Sequence, residues 1–158
     1  MGAAPFPAVI TTKLSGNWRK DKANSDVDCY ARQLDLLEIQ GIQKACAMKL
    51  INGLQIDSDE QRVKVAYKVD NVPFYKHTEE FRLGQSVSMS RRDKKSGQQH
   101  ATMRAVPKGV EVDIQLDPPF SGSIREVYNL YTDNTLSVTS ITTVKGQTEK
   151  CIQVYRRQ

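Results

Sequence analysis

The stretch Arg62-Val63-Lys64-Val65-Ala66-Tyr67-Lys68-Val69 decides the fold class. Its odd positions are apolar and its even positions mostly charged. That is the period of two a β-strand imposes, because successive side chains leave opposite faces. Gly109-Val110-Glu111-Val112-Asp113-Ile114-Gln115-Leu116 repeats the pattern with the even positions apolar. Each stretch predicts a strand with one face buried and the other in water. Noisier alternation places further strands near 53–57, 74–82, 85–91, 99–106, 122–131, 135–144 and 148–157. Turn signals fall between them, among them Asp57-Ser58-Asp59, Lys95-Ser96-Gly97, Pro107-Lys108-Gly109, Thr132-Asp133-Asn134 and Lys145-Gly146. So many short strands joined by tight turns predict an antiparallel meander that closes into a barrel, since closure removes its edges.

Upstream of this run the period changes. After a first strand near Gly16-Asn17-Trp18, the residues Val27, Tyr30, Leu34 and Leu37 recur at helical spacing behind a cap at Ser25 and Asp28. A second set, Ile39, Ile42, Cys46 and Leu50, follows a break near Leu37 or Gly41. Two short amphipathic helices are expected, their apolar stripes buried over the barrel mouth. Residues 1–12, with Pro5 and Pro7, read as a flexible leader before a single domain over 13–158.

Composition excludes several function classes. With 39% hydrophobic and 26% charged residues in 158, the chain is an ordinary globule able to bury a core without disulfides. Three cysteines without metal-ligand spacing predict reduced thiols in the cytoplasm, with Cys29 and Cys46 as small core residues. No apolar run approaches a membrane span, no signal peptide is visible, and Phe6 stands where a myristoylation site needs Ser or Thr. The net charge of +5 suits a solvated basic surface or an anionic membrane. The basic turn Arg91-Arg92-Asp93-Lys94-Lys95 lacks the interleaved aromatics of a nucleic-acid platform. His77 and His100 have no neighbouring nucleophile, the acidic turn Asp57, Asp59 and Glu60 lacks a calcium-loop pattern, and no glycine loop cradles phosphate. Neither metal nor cofactor is expected, and the chain does not read as an enzyme.

Together, Gly16-Asn17-Trp18, the helix pair after the first strand, Phe81-Arg82-Leu83-Gly84 and the closing Gln153-Val154-Tyr155-Arg156-Arg157 resemble the intracellular fatty-acid-binding proteins of the calycin group. The order and rough spacing agree from about residue 13 to 158. Ser90-Arg91-Arg92-Asp93-Lys94-Lys95 is also similar to plant and algal lipocalin-like relatives. The resemblance implies a ten-stranded barrel capped by a helix-turn-helix lid, a monomer that carries a hydrophobic small molecule without chemistry. It also implies that Trp18, beside Gly16, closes the barrel base, with Arg157 stacked across the indole.

An interior wider than its side chains can fill leaves a cavity, and each buried methylene of a guest gains ~0.8 kcal/mol. The expected lining residues are Val63, Val65, Tyr67, Met89, Met103, Val112 and Ile114, which could equally pack a dry core. In the resembling family an Arg-x-Tyr pair on the last strand takes a fatty-acid carboxylate; the matching positions here are Gln153 and Tyr155. Without the arginine a buried carboxylate is unfavourable, so a neutral alcohol, aldehyde, ester or amide head is expected. Arg125 is the nearest basic residue to a second family arginine: facing inward it would revive an acid ligand, facing outward it is a surface charge. The family portal maps here to Asp70-Asn71, an apolar gate at Phe74, and a cationic rim of Arg91, Arg92, Lys94 and Lys95 that would meet anionic membranes transiently. The other readings are an isomerase-like enzyme using Cys151 or Tyr155 in the same cavity, and a closed-core interaction module.

Overall fold

The computed structural model describes residues 6–69 and 77–158, and for residues 49–51 the backbone alone. The elements run β1 (Gly16–Lys20), α1 (Val27–Leu36), α2 (Gly41–Leu50), β2 (Ile51–Ser58), β3 (Arg62–Val69), β4 (His77–Arg82), β5 (Ser86–Ser90), β6 (Gln98–Val106), β7 (Gly109–Leu116), β8 (Gly122–Thr132), β9 (Thr135–Val144) and β10 (Gln147–Arg157). Among the described residues ten strands form one antiparallel sheet in the order β4-β3-β2-β1-β10-β9-β8-β7-β6-β5. The first strand pairs with the last, so the sheet curls into a nearly closed barrel with the two helices between β1 and β2. This is the architecture expected from the alternation and the early helical spacing.

A seam remains between β4 and β5, the two ends of the sheet order. At Leu83-Gly84 it is pinned, where the Gly84 N–H donates to the Met103 carbonyl at 3.1 Å. Further along, side chains take over from backbone pairing: Gln99 of β6 donates to Glu79 of β4 at 2.9 Å.

The core fills the base of the barrel. Val63, Val65, Val112, Ile114, Leu136 and Trp18 are completely buried there and belong to one apolar cluster. The indole N–H of Trp18 donates to the Leu14 carbonyl at 2.9 Å. The Arg157 guanidinium lies 4.3 Å from the indole centroid. It also donates to the carbonyls of Ser15 at 2.7 Å, Lys13 at 2.6 Å and Asp133 at 2.8 Å. Gly16, at φ 146°, sits beneath this clamp, and a β-carbon there would come within 2.6 Å of Arg157 Nη1. The packing also reaches into the expected leader: Ile10 and Leu14 are buried in the same cluster, and a 3₁₀ turn spans Thr12–Leu14. The residue-12 boundary therefore falls inside packed structure.

The helices differ from one another. α1 is capped by Asp26, which accepts from the Cys29 N–H at 3.0 Å. Ser25, the expected cap, instead accepts from the Val154 N–H at 2.8 Å and ties the approach to β10. Cys29, Gln33 and Leu34 form the buried stripe of α1. Gln33 donates to the carbonyls of Ser140 at 3.0 Å and Glu149 at 3.1 Å, which locks α1 onto β9 and β10. α2 has no such anchor in its described side chains. Ile42 is 83% exposed and Cys46 is exposed, so their expected burial is not found. The reason is that α2 lies over empty space, not packed core; both residues border the cavity described below. The Leu50 side chain lies outside the described residues. No helix among the described residues is long and apolar enough to cross a membrane.

Candidate functional site: a cavity beneath the helix pair

The half of the barrel under α1 and α2 encloses a cavity of about 460 Å³, within the range of small-molecule sites. Strand parity decides what faces it. On β10 the inward positions are Cys151, Gln153 and Tyr155, and on β8 they are Ile124, Glu126, Tyr128 and Leu130. Gln153, Tyr155, Tyr128 and Tyr67 meet in the cavity wall with the apolar Leu37 and Val138. Burial pushes the phenols of Tyr67, Tyr128 and Tyr155 above their ordinary pKa, so at neutral pH all three keep their protons.

Gln153 is held in one orientation. Its Nε2 donates to the Asp26 carbonyl at 3.0 Å and to the Cys151 sulfur at 3.1 Å. Its Oε1 is buried with no hydrogen-bond partner. An unpaired buried acceptor is destabilising by ~1–3 kcal/mol, and a hydroxyl or N–H on a guest would relieve it. The Cys151 thiol in turn donates to the Asp26 carbonyl at 3.3 Å.

Across the cavity lies a buried ionic cluster centred on Arg92. Arg92, expected on a solvent-facing portal rim, turns inward. It forms a two-pronged pair with Glu126, with both N···O distances 3.0 Å, and another with Glu79 at 2.5 and 3.0 Å. Glu79 also bonds His77 Nε2 at 2.9 Å, and Lys94 Nζ lies 3.4 Å from the other ring nitrogen. Burial alone would raise the Glu79 pKa, but Arg92 and His77 outweigh it and hold the carboxyl at about 2. Burial likewise opposes the Arg92 charge, and Glu126 and Glu79 overcome it. Arg91 is also a correction. It is 2% exposed, pairs with Asp93 at 2.6 and 2.9 Å, and donates to the carbonyls of Asp117 at 2.9 Å and Phe120 at 2.8 Å. Both guanidiniums are drawn inside because carboxylates and carbonyls there satisfy their donors.

Other expected site residues are scattered. Arg125 faces outward, half-exposed, and bonds Glu111 on the outer face of β7. The inward parity of β8 is taken by Ile124 and Tyr128, which makes Glu126, not Arg125, the charged residue in the cavity. Val63, Val65, Met103, Val112 and Ile114 pack the core away from the cavity wall, and Met89 is half-buried against them. Lys94 is exposed, while Lys95 Nζ reaches the Glu38 carbonyl between the helices at 3.4 Å. Asp70, Asn71 and Phe74 lie outside the described residues.

Three site residues had no place in the sequence reading. Glu79 and Glu126 each occupy an apolar-face position of an alternating strand, and that mismatch was their signal. Lys20 shares the inward parity of Trp18 on β1 and lines the cavity.

No protein-family model matches the chain, and no curated protein sequence does. Solved structures do. The chain superposes on the fluorescent protein UnaG with a TM-score of 0.71 at 18% identity, covering 92% of this chain and 98% of that one. Apo lipid binding protein 8 of Caenorhabditis elegans gives 0.71 at 11% identity, covering 96% and 100%. The Schistosoma mansoni fatty acid binding protein, solved with arachidonic acid, gives 0.65 at 13% identity, covering 93% and 97%. Strand order, helix placement and these superpositions agree: the chain has the fold of the fatty-acid-binding-protein-like calycins.

Proposed function

We propose that the protein is a monomeric cytoplasmic carrier that binds a hydrophobic small molecule with a neutral polar head, without transforming it. One observation carries the head-group reading. Arg92, the guanidinium in the cavity wall, is wholly engaged by Glu79 and Glu126, while Gln153 Oε1 is an unpaired acceptor. Two carboxylates against one guanidinium disfavour a third, burial opposes the charge of the Lys20 amine that also lines the cavity, and the phenols and Gln153 suit hydroxyl, carbonyl or amide groups. The apolar wall supplies affinity, at ~0.8 kcal/mol per buried methylene. Two of the structural neighbours, a lipid binding protein and a fatty acid binding protein, support the ligand class. Free thiols at Cys29, Cys46 and Cys151 fit a reducing compartment. A cavity of about 460 Å³ argues against a closed-core interaction module.

Displacement of a fluorescent probe by hexadecanol and by hexadecanoate at neutral pH tests this. The alcohol is expected to compete more strongly, and Gln153→Arg to shift the preference toward the acid. A clear preference of the unmodified protein for the acid overturns the head-group reading.

Delivery by contact with anionic membranes belongs to the same proposal in reduced form. With Arg91 and Arg92 internal, Lys94, Lys95 and the exposed Ile42 of α2 remain to meet a bilayer. Transfer to vesicles in a stopped-flow instrument should quicken with anionic lipid and slow on Lys94→Gln with Lys95→Gln. Indifference to both removes the membrane step.

A further inference from the structure

Lys20 is the feature of the cavity that simple binding leaves unexplained. It is the last residue of β1, on the same face as the buried Trp18, and its side chain lines the cavity. Its amine sits 4.8 Å from the Tyr30 ring centroid. Among the described residues no carboxylate lies within ion-pair distance of it, unlike Arg91 and Arg92. Across the β1–β10 ladder its partner is Tyr155, which also faces inward. An amine taken from water without a counter-ion is costly to charge.

We propose that Lys20 captures a long-chain aldehyde as a reversible imine inside the barrel. The proposal rests on the neutral-head reading above and narrows it to one carbonyl class. In the step, the nitrogen lone pair adds to the aldehyde carbon. The carbonyl oxygen then leaves as water with the two amine protons, giving R–NH₂ + R′–CHO → R–N=CH–R′ + H₂O. No oxidant or reductant takes part. Three features favour it. Burial lowers the Lys20 pKa against the opposing effect of Cys151, and Lys22 lowers it further, which raises the share of nucleophilic free amine. Tyr155 keeps its proton and so has a donor for the carbonyl oxygen. The apolar wall holds the chain and raises the local aldehyde concentration at the amine.

The test uses the full chain with hexadecanal and cyanoborohydride, which reduces an imine to a stable secondary amine. Intact mass and peptide mapping then locate the adduct, and hexadecanol binding is measured in parallel by probe displacement. At substoichiometric aldehyde, Lys20 should be labelled at least ~10-fold above any other lysine, the expected effect of a held reactant, and excess hexadecanol should block it. Lys20→Arg should abolish that adduct while retaining a cooperative urea transition. Even labelling across surface lysines overturns the proposal. So does loss of hexadecanoate binding in Lys20→Met without any Lys20 adduct in the unmodified protein, which would make Lys20 an ion-pair partner. A protein that binds hexadecanol but forms no adduct contradicts the imine alone; one that binds neither contradicts the carrier reading beneath it.

Discussion

On β3, Val63 and Val65 are shut away from water at the base of the barrel, while Tyr67, one inward position further, lines a cavity. On β8 the same change separates Leu130 in the core from Glu126 and Ile124 in the cavity wall. The base is held by apolar burial sealed with Trp18 and Arg157. The mouth is held by an ionic lattice, Arg92 with Glu79 and Glu126, which spans the seam where backbone pairing stops. The difference shows how one sheet keeps a hollow without collapsing. Apolar side chains would close the space, whereas charged groups that satisfy one another hold it open.

The largest effect should come from unbalancing the lattice. Arg92→Met leaves two buried carboxylates without their cation and should lower stability by ~3–5 kcal/mol in urea denaturation. Adding Glu79→Gln and Glu126→Gln should recover much of the loss. If Arg92→Met is nearly neutral, the mouth is not braced by charge.

Truncating apolar residues should separate the halves next. Leu136→Ala, in the packed base, should lose ~2–5 kcal/mol because it opens a cavity. Val138→Ala, two residues along the same strand, already borders empty space and should lose under ~1.5 kcal/mol. Equal losses in the same urea assay would mean that the base and mouth are packed alike.

Acid should strike the mouth. The Glu79 pKa is held at about 2 against an ordinary 4.5, so the folded state binds its proton less readily than the unfolded chain does. Its stabilisation, about 3 kcal/mol for a shift of this size, is complete above about pH 4.5 and is lost as pH falls toward 2. Asp117 and Asp21, both lowered chiefly by hydrogen bonds, act in the same sense. Unfolding curves across pH 2–5 should show this loss, and Glu79→Gln should flatten it.

A modest effect is expected at the seal. Arg157→Met should lose ~1–2 kcal/mol through the indole stack and the donated hydrogen bonds. Trp18 fluorescence should change with it, and ligand binding should not.

The base was legible in the sequence because its signals are local and periodic. Alternation in 62–69 and 109–116 announced the strands, and the stack on Trp18 was implied by the family resemblance, with parity shared with Tyr155 pointing to Arg157. The mouth was less legible. Arg91 and Arg92 sit in a turn whose composition suits water equally well, and the partners of Arg92 lie 13 and 34 residues away on other strands. Pairing across a barrel depends on tertiary proximity, which no window of sequence contains. Its trace was the pair of acids at inward positions, Glu79 between His77 and Phe81, and Glu126 between Ile124 and Tyr128. The exposure of α2 left no local trace either, since an amphipathic stripe over a hollow reads the same as one over a core.

A guest should occupy the mouth and leave the base untouched. Backbone and side-chain chemical shifts recorded while hexadecanol is added test it most directly. Shifts should concentrate at Tyr67, Tyr128, Gln153, Tyr155 and Leu37, and the Trp18 indole, Val112 and Ile114 should stay still. Perturbation centred on Trp18, Val112 and Ile114, or none at the cavity residues at saturating alcohol, would contradict it.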